Sequence, residues 1–234
     1  MIYRQLYGHT FLLDYAGTRF LFNPALGREG SILTAEEFGQ IDAVVVTRFS
    51  EQYFDEAART CIPKKIQIFV QDEEDERQLS RIGFEQVQVL PEQLHFQNVD
   101  LIKMPVFHGK DQELWKAEKS FGVILSHPVL NSIYVTGDSV WFDEMKAVLK
   151  KWKPHMVLVG ARYTAEMEKQ IRWGMDRDEI AAVHLTWPRA RILVTETYGT
   201  GDLDLGRSEL KAYLRAHSME EAVLLPNEGE EYRL

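Results

Sequence analysis

Residues 41–58 read IDAVVVTRFSEQYFDEAA: a short valine-rich run, a threonine, and then a polar, charged and aromatic loop without a histidine. A brief apolar run of this kind, bounded by polar residues, predicts a strand buried on both faces. A loop leaving the end of such a strand is where a rigid scaffold commonly displays functional side chains. This loop has that placing without the histidines that metal and acid/base chemistry most often use.

Before it, HTFLLDY (9–15), AGT (16–18) and RFLFNP (19–24) predict two strands joined by a glycine turn. Thr34 followed by Glu37 in SILTAEEFGQ predicts a short capped helix ahead of the valine-rich strand. After it, KIQIFVQ (65–71) predicts a strand, and DEEDERQLSRIG (72–83) a charged helix closed by Gly83. The acidic residues of QDEEDE (71–76) suit the first turn of that helix through its dipole, and they lack the glycine and alternation of a calcium loop. Further strands are predicted at EQVQVLP (85–91), VDLIKMPVF (99–107), FGVILSH (121–127) and NSIYVTGD (131–138), followed by a supporting helix, VWFDEMKAVLKKW (140–152). The second half repeats the theme with strands 155–160 and 191–196, helices 176–187 and 206–218, and one closing strand over EAVLLPNEGEEYRL (221–234). Antiparallel hairpins in each half with helices outside predict an α/β (α+β) architecture of two face-to-face sheets flanked by helices. No linker divides the chain, so a single domain over 1–234 is expected.

Composition narrows the function. Of 234 residues 45% are apolar, enough for a large core, and 27 basic against 36 acidic residues give a net charge of -9. That charge disfavours a polyanion, so no nucleic acid partner is expected. No eighteen-residue apolar run and no leader pattern occur, so no membrane association and a cytoplasmic location are expected. The one cysteine, Cys61, excludes an internal disulfide and a multi-cysteine zinc site, and RTCIPKK (59–65) reads as a packed thiol. Neither a dinucleotide glycine fingerprint nor a phosphate loop is present.

Taken in order, YGHTFLLDYAGTRFLFNP (7–24), VVVTRFSEQYFD (44–55), PVFHG (105–109), SIYVTGDS (132–139), GMDRDEIAAV (174–183) and VTETYGTGDL (194–203) resemble the landmarks of the metallo-β-lactamase superfamily. The branch they resemble contains the ascorbate-phosphate lactonase-like metal-dependent hydrolases, and the resemblance spans nearly the whole chain. Gly8, His9 and Asn23-Pro24 stand where that branch has Gly-His and Asp-Pro. The resemblance implies a four-layer αββα sandwich with a metal site at one edge. It also implies a binuclear site built from a Thr-His-x-His-x-Asp-His loop, a later histidine, a Gly-Asp aspartate and a final histidine, with two metals polarising the substrate and generating hydroxide.

Laid on this chain, the loop falls on Thr47, Arg48, Phe49, Ser50, Glu51, Gln52 and Tyr53, so all four loop ligands are replaced. His108 matches the later histidine and Asp138 the Gly-Asp aspartate, while the final histidine falls on Thr197 and a further one on Gly174. Arginine cannot coordinate a metal. The reading is therefore a hydrolase-like protein with no binuclear zinc, acting as a non-catalytic binding or scaffold protein. Its binding cleft is formed by Arg48, Ser50, Gln52, Tyr53, Asp55, Thr197 and Tyr198. Arg48 would replace the metal charge and compensate Asp138, with Asp55 as a further acidic partner. No cofactor is expected. The alternative is an active hydrolase in which His108 and Asp138 act as general base and orienter, with one divalent metal or none. The ligand is open between a small molecule and a protein, and homo-oligomerisation stays open by analogy with the family.

Plainer roles stand beside these. His9 reads as a hydrogen-bonded structural histidine and His108 suits that role as well as a functional one; Asp176 with Glu179 reads as a helix cap. Glu51 and Glu196 would form an acid/base pair only if both faced the cleft. His127, His155, His184 and His217 share no metal-binding spacing, and the mixed aromatic and methionine segment 163–176 reads as core.

Overall fold

The structure is a computed structural model describing residues 1–27, 33–107, 119–161, 164–166, 171–196 and 206–233, with the backbone alone at 164–166, 171–173 and 196. By its contacts the chain forms two units, Met1–Leu101 with Asn227–Leu234, and Ile102–Pro226. The boundary falls within a strand, Val99–Met104, and not in a loop.

The first unit begins with β1 (Ile2–Tyr7), β2 (Thr10–Tyr15) and β3 (Thr18–Phe22), an antiparallel run. Ala16 and Gly17, both at positive φ (53° and 79°), make the two-residue turn between β2 and β3 that matches strand twist. Helix α1 (Ala35–Phe38) precedes β4 (Ala43–Val45), α2 (Glu56–Cys61) precedes β5 (Gln67–Val70), and α3 (Glu73–Arg81) precedes β6 (Gln86–Val89). These helical connections let β3, β4, β5 and β6 pair in parallel. With β16 (Glu231–Arg233) against β1, the sheet order is β16-β1-β2-β3-β4-β5-β6. Leu12, Leu21, Val44, Val46, Ile68 and Val70 pack with Ala58, Ile62 and Leu79 of the helical segments. The alternate residues Phe20, Phe22, Ala43, Val45 and Phe69 are also buried, which explains the near-continuous apolar runs.

The second sheet contains β7 (Gln93–Phe96), β8 (Val99–Met104), β9 (Gly122–His127), β10 (Leu130–Val135), β11 (Met156–Gly160), β14 (Arg191–Glu196) and β15 (Val223–Leu224), in the order β15-β14-β11-β10-β9-β8-β7. A separate pair is formed by β12 (Thr164–Glu166) and β13 (Ile171–Trp173). Helices α4 (Asp143–Trp152), α5 (Arg177–Thr186) and α6 (Arg207–Ala216) belong to the second unit. Its core joins Ile124, Tyr134, Val157, Val159, Ile192 and Val194 of the sheet to Met145, Leu149, Ile180, Val183, Leu210 and Leu214 of these helices. Among the described residues no helix is long and apolar enough to cross a membrane.

The caps are as expected: Asp72 starts α3, and Thr34 with Glu37 and Asp176 with Glu179 form capping boxes. Met175 is a core residue; Tyr163 and Met167 lie outside the described residues. Three expectations are corrected. The sheets are mixed and not runs of antiparallel hairpins, because helices intervene between successive strands. The closing segment is two strands in different sheets: Pro226 has no amide hydrogen with which to continue a ladder, and Asn227–Glu230 form a turn. Cys61 is exposed, because Ala58 and Ile62, four residues apart, take the buried face of that turn.

Gly137, at φ 65°, would place a Cβ 2.8 Å from the carbonyl oxygen of Phe121, whereas Gly17, at φ 79°, has nothing within 4 Å. In urea unfolding, Gly17→Ala should cost about 1 kcal/mol from backbone strain alone, and Gly137→Ala about 3 kcal/mol or more. The Glu37 carboxyl lies below its ordinary pKa because of the backbone N–H of Thr34 and then Arg4, whose guanidinium is 2.6 Å away. A lowered folded-state pKa gives stability that is present above the unfolded value and lost as pH falls through the folded one. Glu37→Gln should therefore flatten the acid limb of a plot of urea midpoint against pH.

Candidate functional site

In the first unit the site is built from the end of β4. Thr47 and Asn23 are fully or almost fully buried, and the Asn23 side-chain oxygen accepts hydrogen bonds from Thr47 N (2.8 Å) and Thr47 Oγ1 (3.0 Å). Asn23 adopts φ 46°, a left-handed conformation that asparagine tolerates better than most residues. Its own backbone is held twice: Asn23 N donates to the Val45 carbonyl at 2.9 Å, and Thr10 Oγ1 donates to the Asn23 carbonyl at 2.7 Å. Three buried polar residues from three segments thus fix the point where the loop departs.

The loop then tightens over Ser50, whose carbonyl accepts from Tyr53 N (2.9 Å) and Phe54 N (2.8 Å). That turn sends the Tyr53 ring inward, where it is 1% exposed and stacks on His9 with centroids 4.7 Å apart and planes at 18°. The Arg48 guanidinium carbon lies 5.9 Å from the same ring, near the outer limit of cation–π attraction. His9 is itself set by Gln5, whose buried side-chain amide donates to the carbonyls of Gly8 (2.8 Å) and Thr10 (3.3 Å) on either side of it. Gln52 is exposed. Glu51, 65% exposed, pairs with Arg59 on the surface, away from the role of a buried acid. Asp55 caps α2: one oxygen accepts from Ala58 N (2.8 Å) and the other from Gly27 N (2.7 Å).

In the second unit, Asp138 is 1% exposed and follows Gly137, at φ 65°, in the turn after β10. Its carbonyl accepts from Gly174 N at 2.9 Å, which ties the loop to the start of α5. Phe107 is bound on both sides, its N–H to Ser139 Oγ (3.2 Å) and its carbonyl by Val140 N (2.9 Å). His108, Thr197 and Tyr198 lie outside the described residues, as does the side chain of Glu196.

The implied metals can be tested against these donors. The four ligand positions of the loop hold a guanidinium, a hydroxyl, an amide and a buried stacked phenol, and the two nearby carboxylates have the roles just given. Among the described residues no three or more His, Cys, Asp or Glu side chains come together as a metal site. The loop therefore does not fit a binuclear zinc centre, which needs neutral imidazoles and carboxylates. What its half-buried and exposed side chains can offer is a permanent cation and hydrogen-bonding groups.

No family model matches the chain. It is 28% identical over 251 aligned positions to the UPF0173 protein YddR of Bacillus subtilis, covering 97% of this chain and 98% of that one. Among solved structures it resembles an isothiocyanate hydrolase from Delia radicum gut bacteria, with TM-score 0.89, 25% identity and coverage of 100% and 99% of the two chains. It also superposes along its full length on YhfI of Bacillus subtilis, a metallo-β-lactamase fold protein, with TM-score 0.70, 11% identity and complete coverage of both chains. The chain has the metallo-β-lactamase fold.

Within the metallo-β-lactamase fold, the positions named from sequence separate by role. Arg48, Ser50 and Tyr53 lie along one loop, Asp55 caps the helix after it, and Asp138 ends a strand of the other unit. Thr10 and Gln5 carry no local signal in the sequence, being buried polar residues on strands, and Asn23 stands out there only as the residue in place of an aspartate.

Asn23→Gly keeps the left-handed backbone but removes both bonds to Thr47, and should lower stability by about 2 kcal/mol. The Thr47 amide should then exchange with deuterium faster than the amides of β2, which serve as the internal reference.

Proposed function

We propose that this hydrolase-like protein of the metallo-β-lactamase fold works as a metal-free, non-catalytic binding or scaffold protein. The observation that carries this reading is the loop from Thr47 to Asp55, where each former ligand position holds a side chain unable to serve as a zinc ligand of the usual kind. Arg48 supplies a fixed positive charge in place of a metal charge, and the half-buried Ser50 and exposed Gln52 on the same loop add hydrogen-bonding groups for the ligand. Its ligand is a small molecule or a protein. A cytoplasmic location, self-association into a homo-oligomer and the absence of a cofactor belong to the same reading.

A second reading is favoured by one finding, the full-length likeness to a hydrolase at 25% identity. In it His108 and Asp138 act as general base and orienter, with one divalent metal or none. Metal analysis separates the two. Protein purified without chelator should carry far less than one zinc, iron or manganese ion per chain, and should not accelerate loss of an alkyl isothiocyanate followed by ultraviolet absorbance. Stoichiometric metal that disappears in His108→Ala or Asp138→Asn, or turnover sensitive to those changes, would overturn the binding-protein reading.

A further inference from the structure

A cavity of about 290 Å³ lies in the second unit between α6 and the stretch from Glu220 to Leu225. Leu214, Val223, Leu224 and Leu225 supply the apolar half of its lining, and Lys211, Arg215 and Glu220 its charged groups. Its size is at the lower edge of small-ligand sites, which run from about 300 to 1,000 Å³.

Arg207, Lys211 and Arg215 follow one another at intervals of four and so share a face of α6, a basic stripe on a chain of net charge -9. Their tasks differ. Arg207 donates to the carbonyl of Pro226 at 3.0 Å and to that of Leu225. Arg215 is tied to Glu220 at 3.3 Å. Lys211 is exposed and makes no ion pair among the described residues. Among the described residues its ammonium is the charged group of this cavity without an ion-pair partner, and so the one placed to receive a ligand anion.

We propose that this cavity binds a small carboxylate with a short aliphatic body, the carboxylate on Lys211 and the aliphatic part over Leu214, Leu224 and Leu225. A peptide added as an extra strand fits less well. The edge strand β15 has only two residues, and Arg207 already occupies the carbonyls that follow it. The assignment is independent of the loop after β4 and of whether that loop binds metal.

The test uses the isotope-labelled full chain, with sodium hexanoate as probe and acetate and 1-hexanol as controls. Hexanoate should give saturable amide shifts confined to residues around 211–225, while acetate, lacking the tail, and hexanol, lacking the charge, should bind more weakly. Lys211→Glu should weaken hexanoate by about tenfold. Leu224→Gln, at a half-buried position, should weaken it with Lys211 intact. Absence of saturable shifts, hexanol binding as well as hexanoate, or affinity unchanged in Lys211→Glu would each overturn the proposal.

Discussion

The loop after β4 depends on the Asn23 side-chain oxygen, which holds both the N–H and the hydroxyl of Thr47 where water does not reach. Leaving either group unsatisfied would cost about 1–3 kcal/mol, a large share of a typical folding margin of about 5–15 kcal/mol. The loop's point of departure is therefore fixed by folding energetics, while the side chains beyond it answer to weaker constraints. That division lets the backbone of such a loop hold its course whichever side chains it displays, here Arg48, Ser50, Gln52 and Tyr53.

A similar division separates what the sequence reveals from what it hides. Strands such as Ala43–Val45 and Met156–Gly160 are evident because burial on both faces leaves continuous apolar runs. Helices α3 and α5 are evident because Asp72 and Asp176 announce their first turns. Helix α2 is hidden because Ala58 is its one buried residue, and β1 because a polar Gln5 occupies one of its buried places. Parallel pairing is not written locally at all, since it depends on strands separated by a helix. At the candidate site, the identity of each loop side chain is legible directly. The stack of Tyr53 on His9 and the clamp of Asn23 on Thr47 are not, because they join residues far apart in the chain.

The full-length likeness to an isothiocyanate hydrolase and to YhfI concerns the backbone. Both sheets owe their form to buried aliphatic and aromatic residues, and none of that packing requires a metal. A fold of this kind can hold its shape while its chemistry changes, so likeness of fold and likeness of activity rest on different atoms.

The pairing of β16 with β1, with Ile2 opposite Arg233, bears on the order in which the molecule assembles. The first unit joins Met1–Leu101 to Asn227–Leu234, so its sheet cannot be completed until β16 has been synthesised. Until then the outer edge of β1 presents open hydrogen-bonding groups, the kind of edge that invites pairing with another chain. Contacts so distant in sequence also slow folding, because the chain must close a long loop before the pairing stabilises it. Synthesis of this protein thus includes an interval in which an exposed strand edge awaits its own C-terminal segment, the period when a chaperone or a neighbouring nascent chain would compete for it.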